Sequence, residues 1–355
     1  MKNTILEVNI KKFQNNIKKI KEYVGNKEIM PVIKANAYGT YINKNLNVLN
    51  DFNIVAVAEV QEGIELRNIG YQKEIFILNQ PAIEEINDIN KYHLTIGLSS
   101  KEFLRKINVP MKVHLEIETG MNRTGIKLED LNEFIKEINN NSNITVEGIY
   151  THLSSADNDK DYTEKQISLF NSAVLIAKKF FNLKYIHCSA SNGLMNYKEN
   201  ISNTIRPGII MYGYESFEGA KNIIPVEPIT ELKVKITYIK EIGPNESISY
   251  NRKFISDKPM KVATIPIGYA DGLRRELTGI GEVIVQKEKR KILGAICMDS
   301  CMIDVTGLDV KVGDWVTIWD NKIITLEEIA KKCNTINYEI ISTISDRVDR
   351  ILKED

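Results

Sequence analysis

The segment Pro31-Val32-Ile33-Lys34-Ala35-Asn36-Ala37-Tyr38-Gly39 runs from an apolar, strand-forming stretch into a lysine, then at once into small and turn residues. A lysine at the end of a buried strand loses solvation, which lowers its pKa. An amine made partly neutral in this way can form a Schiff base with an aldehyde. A charge that merely ends a strand is the commoner case, because lysine prefers surfaces. The flanks shift the balance: Tyr38 follows four residues on, and Gly39 lets the backbone turn.

Other chemistry-bearing residues fall at similar places. His114, Glu116 and Glu118 alternate with Leu115 and Ile117, so one face of a strand is polar where a structural strand would be apolar. Arg123 sits in a loop between Gly120 and Gly125, and His152 follows Thr151 at another strand end. A lone loop arginine is usually solvated, and a lone histidine usually a hydrogen-bonded core residue. His187-Cys188-Ser189-Ala190-Ser191 and Arg206-Pro207-Gly208-Ile209 bring small residues and a glycine to two further strand ends. Such ends suit a phosphate held by backbone N–H groups. A Schiff-base lysine opposite a phosphate cradle points to pyridoxal phosphate, with Arg206 as a candidate partner for the pyridine nitrogen. Later come Ser249-Tyr250, Gly268-Tyr269-Ala270-Asp271-Gly272 and Cys297-Met298-Asp299. Alone, Tyr250 reads as a half-buried strand tyrosine and Tyr269 as a packing anchor in a turn.

The elements that must position these residues follow from hydrophobic pattern. Strands are expected at 31–35, 54–58, 75–79, 93–97, 112–117, 145–151, 184–188 and 204–206, several separated by amphipathic helices such as 162–180. Strands alternating with helices over residues 1–225 argue for an N-terminal (β/α)8 barrel, whose chemistry gathers at the C-terminal ends of its strands. An open doubly wound sheet is the rival, but no Gly-x-Gly-x-x-Gly follows the first strand. Residues 226–355 read as a C-terminal, mainly antiparallel β-rich domain, with strands at 231–240, 260–267, 281–287, 291–297, 300–305 and 314–319 and a helix at 325–333. Residues 139–143 read as a surface turn.

Bulk properties exclude several classes. The 355 residues are 43% hydrophobic and 26% charged, as in ordinary globular proteins. Lys plus Arg equals Asp plus Glu at 47 each, so charge gives no argument for nucleic acid or an anionic membrane. The four cysteines and four histidines show no disulfide framework and no metal motif. No signal-peptide core or membrane-length apolar run is present, and a cytoplasmic location is expected.

The ordered series KANAYG, HLEIETGMNRTGI, THLSSAD, RPGIIMYG, IPIGYADG, CMDSCMID and ISDRVDR, from Lys34 to Arg350, resembles the alanine racemase family of barrel-type pyridoxal phosphate enzymes. The resemblance implies that Lys34 holds the cofactor and serves as one catalytic base. Tyr250 is then the second base, reaching in from the partner subunit of a head-to-tail homodimer. Bases on opposite faces of the α-carbon are what inversion requires. The resemblance also assigns Arg206 to the ring nitrogen, His152 to the support of Arg206, and Tyr38, Ser191, Gly208 and Ile209 to the phosphate. Arg123 and the backbone at Met298 take the substrate carboxylate, Tyr269 lines the entrance, and Asp299 is a supporting neighbour.

This chain departs from the family pattern at informative places. Glu116 stands where many relatives carry a carbamate-modified lysine, and its charge is expected to orient Arg123 directly. Ala190 replaces an asparagine. The stretch from His187 to Asn196 looks more like the racemase domain of serine racemases from vancomycin-resistant bacteria, though no membrane domain accompanies it. Asp346 replaces a tyrosine that touches the phosphate and crowds the substrate methyl. A shorter, acidic residue facing the pocket would admit serine, or a cationic substrate such as lysine, ornithine or arginine. Turned away and paired with Arg347 or Arg350, it leaves alanine. Thr40 and Asp349 replace a histidine and a proline without evident consequence. The expected function is racemisation of alanine and possibly serine. A racemase for a larger or cationic amino acid and a barrel-type decarboxylase are the alternatives. No cysteine-glycine acid-site motif supports the decarboxylase.

Overall fold

The computed structural model describes residues 3–197 and 201–354. The first strand, β1 (Thr4–Asn9), is followed by eight short strands: β2 (Glu28–Ile29), β3 (Ile54–Val57), β4 (Glu74–Ile77), β5 (Thr95–Leu98), β6 (Met111–Glu116), β7 (Ile144–Tyr150), β8 (Tyr185–His187) and β9 (Thr204–Ile205). Strands β3 to β8 form one parallel six-stranded sheet in sequence order, and β2 pairs in parallel with β9. The ring closes through short links. Ile33 N donates to Ala56 O (2.9 Å) and Ala56 N to Pro31 O (2.8 Å) on one side. Arg206 N donates to Ser189 O (2.9 Å) and Asn203 N to Ile186 O (3.1 Å) on the other. Every residue of β3 and β5 is buried, as expected for strands covered on both faces.

The covering helices follow the expected period. Leu131, Phe134, Ile135 and Ile138 are the buried face of Leu131–Asn139. The helix expected at 162–180 is Lys160–Ala177, capped by Asp159, whose side chain accepts from Tyr162 N.

The second unit is a nine-stranded sheet built mostly of antiparallel pairs. The single strand expected at 231–240 is two, Thr230–Lys235 and Tyr238–Ile242. The helix expected at 325–333 is Leu326–Lys332, with the Thr325 side chain accepting from Glu328 N. Strand β1 belongs to this sheet, antiparallel to Thr230–Lys235 and parallel to Asp349–Lys353. The chain therefore starts in the β-rich sheet, crosses the barrel and returns.

Asn16 secures that crossing. It is fully buried on the helix Ile10–Val24. Its amide nitrogen donates to Met211 O (3.1 Å) and Glu227 O (2.8 Å), and its oxygen accepts from Glu227 N (2.8 Å). Removing the amide strands three backbone groups away from water. Asn16→Ala is expected to lower unfolding free energy by about 2–3 kcal/mol in denaturant titration, and a loss below about 0.5 kcal/mol would contradict this account of the junction.

Candidate active site

Lys34 does not end a strand. The last ladder residue is Val32, bridged to Ala56, and Lys34 opens a turn in the left-handed region. Ala35, Asn36, Ala37 and Tyr38 have φ of 52°, 52°, 53° and 56°. Non-glycine residues pay roughly 1–2 kcal/mol each for that geometry, so surrounding contacts must hold it. Gly39 N donates to Ala35 O (2.7 Å) and Ala37 N to Ile33 O (2.9 Å). Gly39 itself has φ 76°, and a Cβ there would sit 2.6 Å from the Ile341 carbonyl oxygen. From the C-terminal segment, Arg350 Nε donates to Gly39 O (3.0 Å), while its Nη atoms donate to the carbonyls of Ser345 (2.6 Å), Val348 (2.7 Å) and Ile344 (2.5 Å). Burial, and then the charge of Arg123, hold the Lys34 amine below the usual lysine range.

The turn borders a cavity of about 390 Å3 at the C-terminal ends of the barrel strands. Lys34, Tyr38, Arg123, His152, Ser191, Arg206, Gly208 and Ile209 line it together. A larger cleft of about 1120 Å3 lies at the opposite end, against Glu28, Glu74, Lys112 and Lys184. Its charges pair with one another, as in Lys184–Glu74 (2.6 Å), and chemistry in such barrels belongs to the C-terminal face.

Arg206 forms the cavity's cationic wall. It is 2% exposed, and its five side-chain hydrogen bonds to described residues all use the two Nη nitrogens. Nη1 meets His187 Nδ1 (2.6 Å) and His187 O (2.8 Å). Nη2 donates to Thr151 O (2.7 Å) and Cys188 O (3.2 Å) and meets His152 Nδ1 (3.4 Å). No carboxylate neutralises it through these bonds. Because arginine only donates, His187 Nδ1 must accept. The His187 proton then sits on Nε2 and faces His114 Nδ1 (2.9 Å). His114 carries its own proton on Nε2, which is buried without a partner among the described residues. Burial, then the Arg206 charge, holds His114 and His152 down to about 3, and His187 well below its ordinary value. The guanidinium is thus packed against neutral imidazoles and carbonyl oxygens.

Hydroxyls and backbone converge on the other side. Ser191 Oγ accepts from Gly208 N (3.1 Å), and a Cβ on Gly208 would lie 2.4 Å from the Tyr38 hydroxyl oxygen. Only glycine lets that hydroxyl approach the Gly208–Ile209 backbone, which begins the turn Ile209–Tyr212.

Glu116 is 4% exposed and accepts from the Thr124 hydroxyl (2.7 Å), one residue beyond Arg123. The direct hydrogen bond to Arg123 expected from the sequence is not formed. Burial raises the Glu116 pKa, while Thr124, Tyr150 and the nearby arginines act against it. Glu118 instead organises the loop, accepting from Gly120 N and from Asn122 N (2.7 Å).

Tyr250, Tyr269 and Met298 lie outside the cavity, on the β-rich unit, and are 68%, 43% and 52% exposed. They are neighbours: Ser249 Oγ donates to Ala295 O (2.6 Å), Tyr269 N to Cys297 O (3.2 Å) and Ala270 N to Met298 O (2.9 Å). Asp299 pairs with Arg347 Nη1 (2.5 Å), which also reaches Asp271 through Nε (3.1 Å). Asp346 does not line the cavity either. Its carboxylate accepts from the Tyr41 hydroxyl, and the Arg350 guanidinium stacks over the Tyr41 ring at 4.8 Å.

Sequence reasoning missed Tyr338 and Ser342, which reach the cavity from the helix Asn337–Ser342. No local signal marked that helix as a cavity wall. It also missed Asn79, which a polar residue closing the apolar run of β4 could have flagged.

The neutral histidines make stability pH-dependent. An unfolded chain protonates each imidazole as pH falls through about 6.5, whereas the folded chain resists until far lower. Stability is therefore full above that pH and lost below it. Between pH 7 and pH 5, unfolding free energy is expected to fall by about 2 kcal/mol for each of His114 and His187, and by less for the half-buried His152. Equal denaturation midpoints at the two pH values would contradict the assigned neutral tautomers.

Comparisons with known proteins agree with this architecture. The family model for the alanine racemase N-terminal domain matches residues 8–216, and that for the C-terminal domain matches residues 229–352. The alanine racemase of Methanococcus maripaludis is 39% identical over 364 residues, covering 97% of each chain. That of Halothermothrix orenii is 37% identical, covering 99% of this chain and 97% of its own. The solved alanine racemase of Clostridium difficile 630 superposes with a TM-score of 0.94 at 34% identity, covering 100% of this chain and 97% of that one. With a lysine, a buried arginine and a hydroxyl-and-amide cradle around one cavity, the chain belongs to the alanine racemase family and is a pyridoxal-phosphate-dependent amino-acid racemase.

Proposed function

We propose that this enzyme interconverts L- and D-alanine, with Lys34 and Tyr250 moving protons on opposite faces of the substrate's α-carbon. The observation that carries the reading is the single cavity that gathers Lys34, Arg206 and the Tyr38–Ser191–Gly208 cradle. These residues fit pyridoxal phosphate: an amine of lowered basicity for the aldehyde, a donor that keeps its proton for the ring nitrogen, and hydroxyls with backbone amides for the phosphate. When bound, the cofactor supplies an electron sink that makes the substrate's α-hydrogen acidic.

The remaining steps belong to the chain. Lys34 Nζ takes or returns the α-proton on one face, and the Tyr250 hydroxyl does so on the other. Arg206, supported by His152 and His187, directs a guanidinium N–H to the ring nitrogen and does not release its proton. Tyr38, Ser191, Gly208 and Ile209 hold the phosphate. Arg123 and the Met298 backbone orient the substrate carboxylate, with Glu116 supplying negative charge near Arg123 and Asp299 bracing the Met298 loop through Arg347. Tyr269 narrows the entrance.

Tyr250, Tyr269 and Met298 are exposed and away from the cavity of their own chain, which supports a homodimer in which each copy completes the other's site. Residues 1–225 then carry the cofactor and residues 226–355 supply the second base, with β1 tying the two units together. Among the described residues, no helix is long and apolar enough to cross a membrane. A cytoplasmic enzyme supplying D-alanine for cell-wall synthesis completes the reading.

Asp346 lies outside the cavity and leaves the choice of a cationic substrate without support. Its carboxylate is engaged by Tyr41 and faces Arg350, so a cationic side chain in the cavity gains no free counter-charge. A panel of L-amino acids scored by chiral chromatography is expected to give a kcat/KM for alanine at least about tenfold above serine, lysine, ornithine and arginine. Preference for serine or a cationic substrate would contradict the assignment. In the same assay Glu116→Gln should raise KM for alanine by about fivefold, the effect of replacing one charged acceptor with a neutral one.

A further inference from the structure

Glu62 belongs to the helix Val60–Asn68 and has no part in the roles described above. Its half-buried carboxylate gathers three backbone amides. Oε2 accepts from Ala58 N (2.7 Å) and Glu59 N (3.2 Å), and Oε1 accepts from Ala35 N (2.5 Å). The first two bonds cap the helix and the end of β3. Capping does not account for the third, which reaches 27 residues back to the peptide that follows Lys34. Ala35 is also the first residue of the left-handed run, where the backbone most needs an external partner.

We propose that Glu62 is a positioning residue for racemisation: its carboxylate fixes the peptide after Lys34 and so aims the Lys34 amine into the cavity. The inference rests on the assignment of Lys34 as a proton-transferring base. Charge supports it. Burial and Arg123 both weaken the basicity of Lys34, and the Glu62 charge acts in the opposite sense. Among the described residues, the other groups lining the cavity supply no anion: His152 is neutral, Arg206 is cationic, and burial keeps the Tyr38 and Tyr338 hydroxyls protonated. In the direction in which it removes the α-proton, Lys34 Nζ must accept it as a neutral amine and hold it as an ammonium ion. Glu62 therefore stabilises the form that has taken up the proton.

Two variants of the full-length enzyme separate aim from charge. Glu62→Gln keeps the shape, removes the charge and turns an amide N–H toward backbone donors. It should lower kcat for alanine by about tenfold or more while KM stays within about threefold. For the alanine enantiomer whose α-proton Lys34 removes, it should also move the acid limb of the kcat–pH profile to lower pH, by about half a unit. A readout independent of turnover is acetylation of Lys34, followed by mass spectrometry in full-length protein stripped of cofactor; its pH midpoint should fall by the same amount. Glu62→Asp keeps the charge but is too short to span both elements, so kcat should fall with the acid limb unmoved. The inference is overturned if Glu62→Gln leaves kcat, the limb and the labelling midpoint unchanged. It is also overturned if kcat falls only in step with thermal stability while limb and midpoint stay put. Should Glu62→Gln fail to fold, full kcat in Glu62→Asp overturns it. A Lys34→Ala enzyme that still racemises removes the parent assignment instead, whatever Glu62 does.

Discussion

The left-handed turn from Ala35 to Tyr38 is the constraint on which the site depends. It lets one short segment present Lys34 and Tyr38 to the same cavity. Such a run of non-glycine residues is unfavourable in isolation, so it persists only where the fold over-determines it. Arg350 reaches Gly39 from the C-terminal segment, Ile341 packs against the same glycine, and Tyr38 is buried against Tyr212 and Tyr338. The barrel supplies the lysine, while residues more than 300 positions later hold the turn that carries it. This gives a physical reason for β1 to pair with both Thr230–Lys235 and Asp349–Lys353: the two units must keep a fixed relation for the turn to survive.

Arg206 poses the complementary problem. A buried guanidinium is costly unless its donors are satisfied. Here the partners are carbonyl oxygens and two neutral imidazoles. The arrangement satisfies the nitrogens that face protein without cancelling the charge. An acidic partner would have paired with the cation and weakened the hold on a ring nitrogen proposed for it. Neutral histidines leave it available, and burial, with the Arg206 charge acting in the same sense, keeps His187 and His152 neutral.

Much of this was legible in the sequence, and what was not has identifiable causes. The runs at 54–58 and 93–97 marked barrel strands, found as Ile54–Val57 and Thr95–Leu98, because parallel strands are buried on both faces. Polar or small residues closing such runs marked Arg206, His152 and Ser191. The left-handed turn was invisible because Ala35-Asn36-Ala37 carries no glycine to announce it. Tyr338 and Ser342 were missed because a short helix near the C-terminus reaches the cavity only through tertiary packing. The direct Glu116–Arg123 bond failed because Thr124, one residue away, reaches the carboxylate first. Asp346 could not be read alone: its partner Tyr41 lies 305 positions earlier.

In the proposed mechanism, a lysine on one chain and a tyrosine exposed on another surface act together only when two copies meet. That proposed sharing of the site is the central claim, and hybrid dimers test it most directly. Lys34→Ala and Tyr250→Phe chains, each nearly inactive alone, are unfolded together, refolded as a 1:1 mixture and assayed for racemisation. Half of the dimers formed are hybrids, and each holds one site with both bases intact. The mixture should recover about a quarter of wild-type activity. If Lys34 and Tyr250 act within one chain, no hybrid has an intact site. Activity that stays at the level of the separate variants would contradict the account.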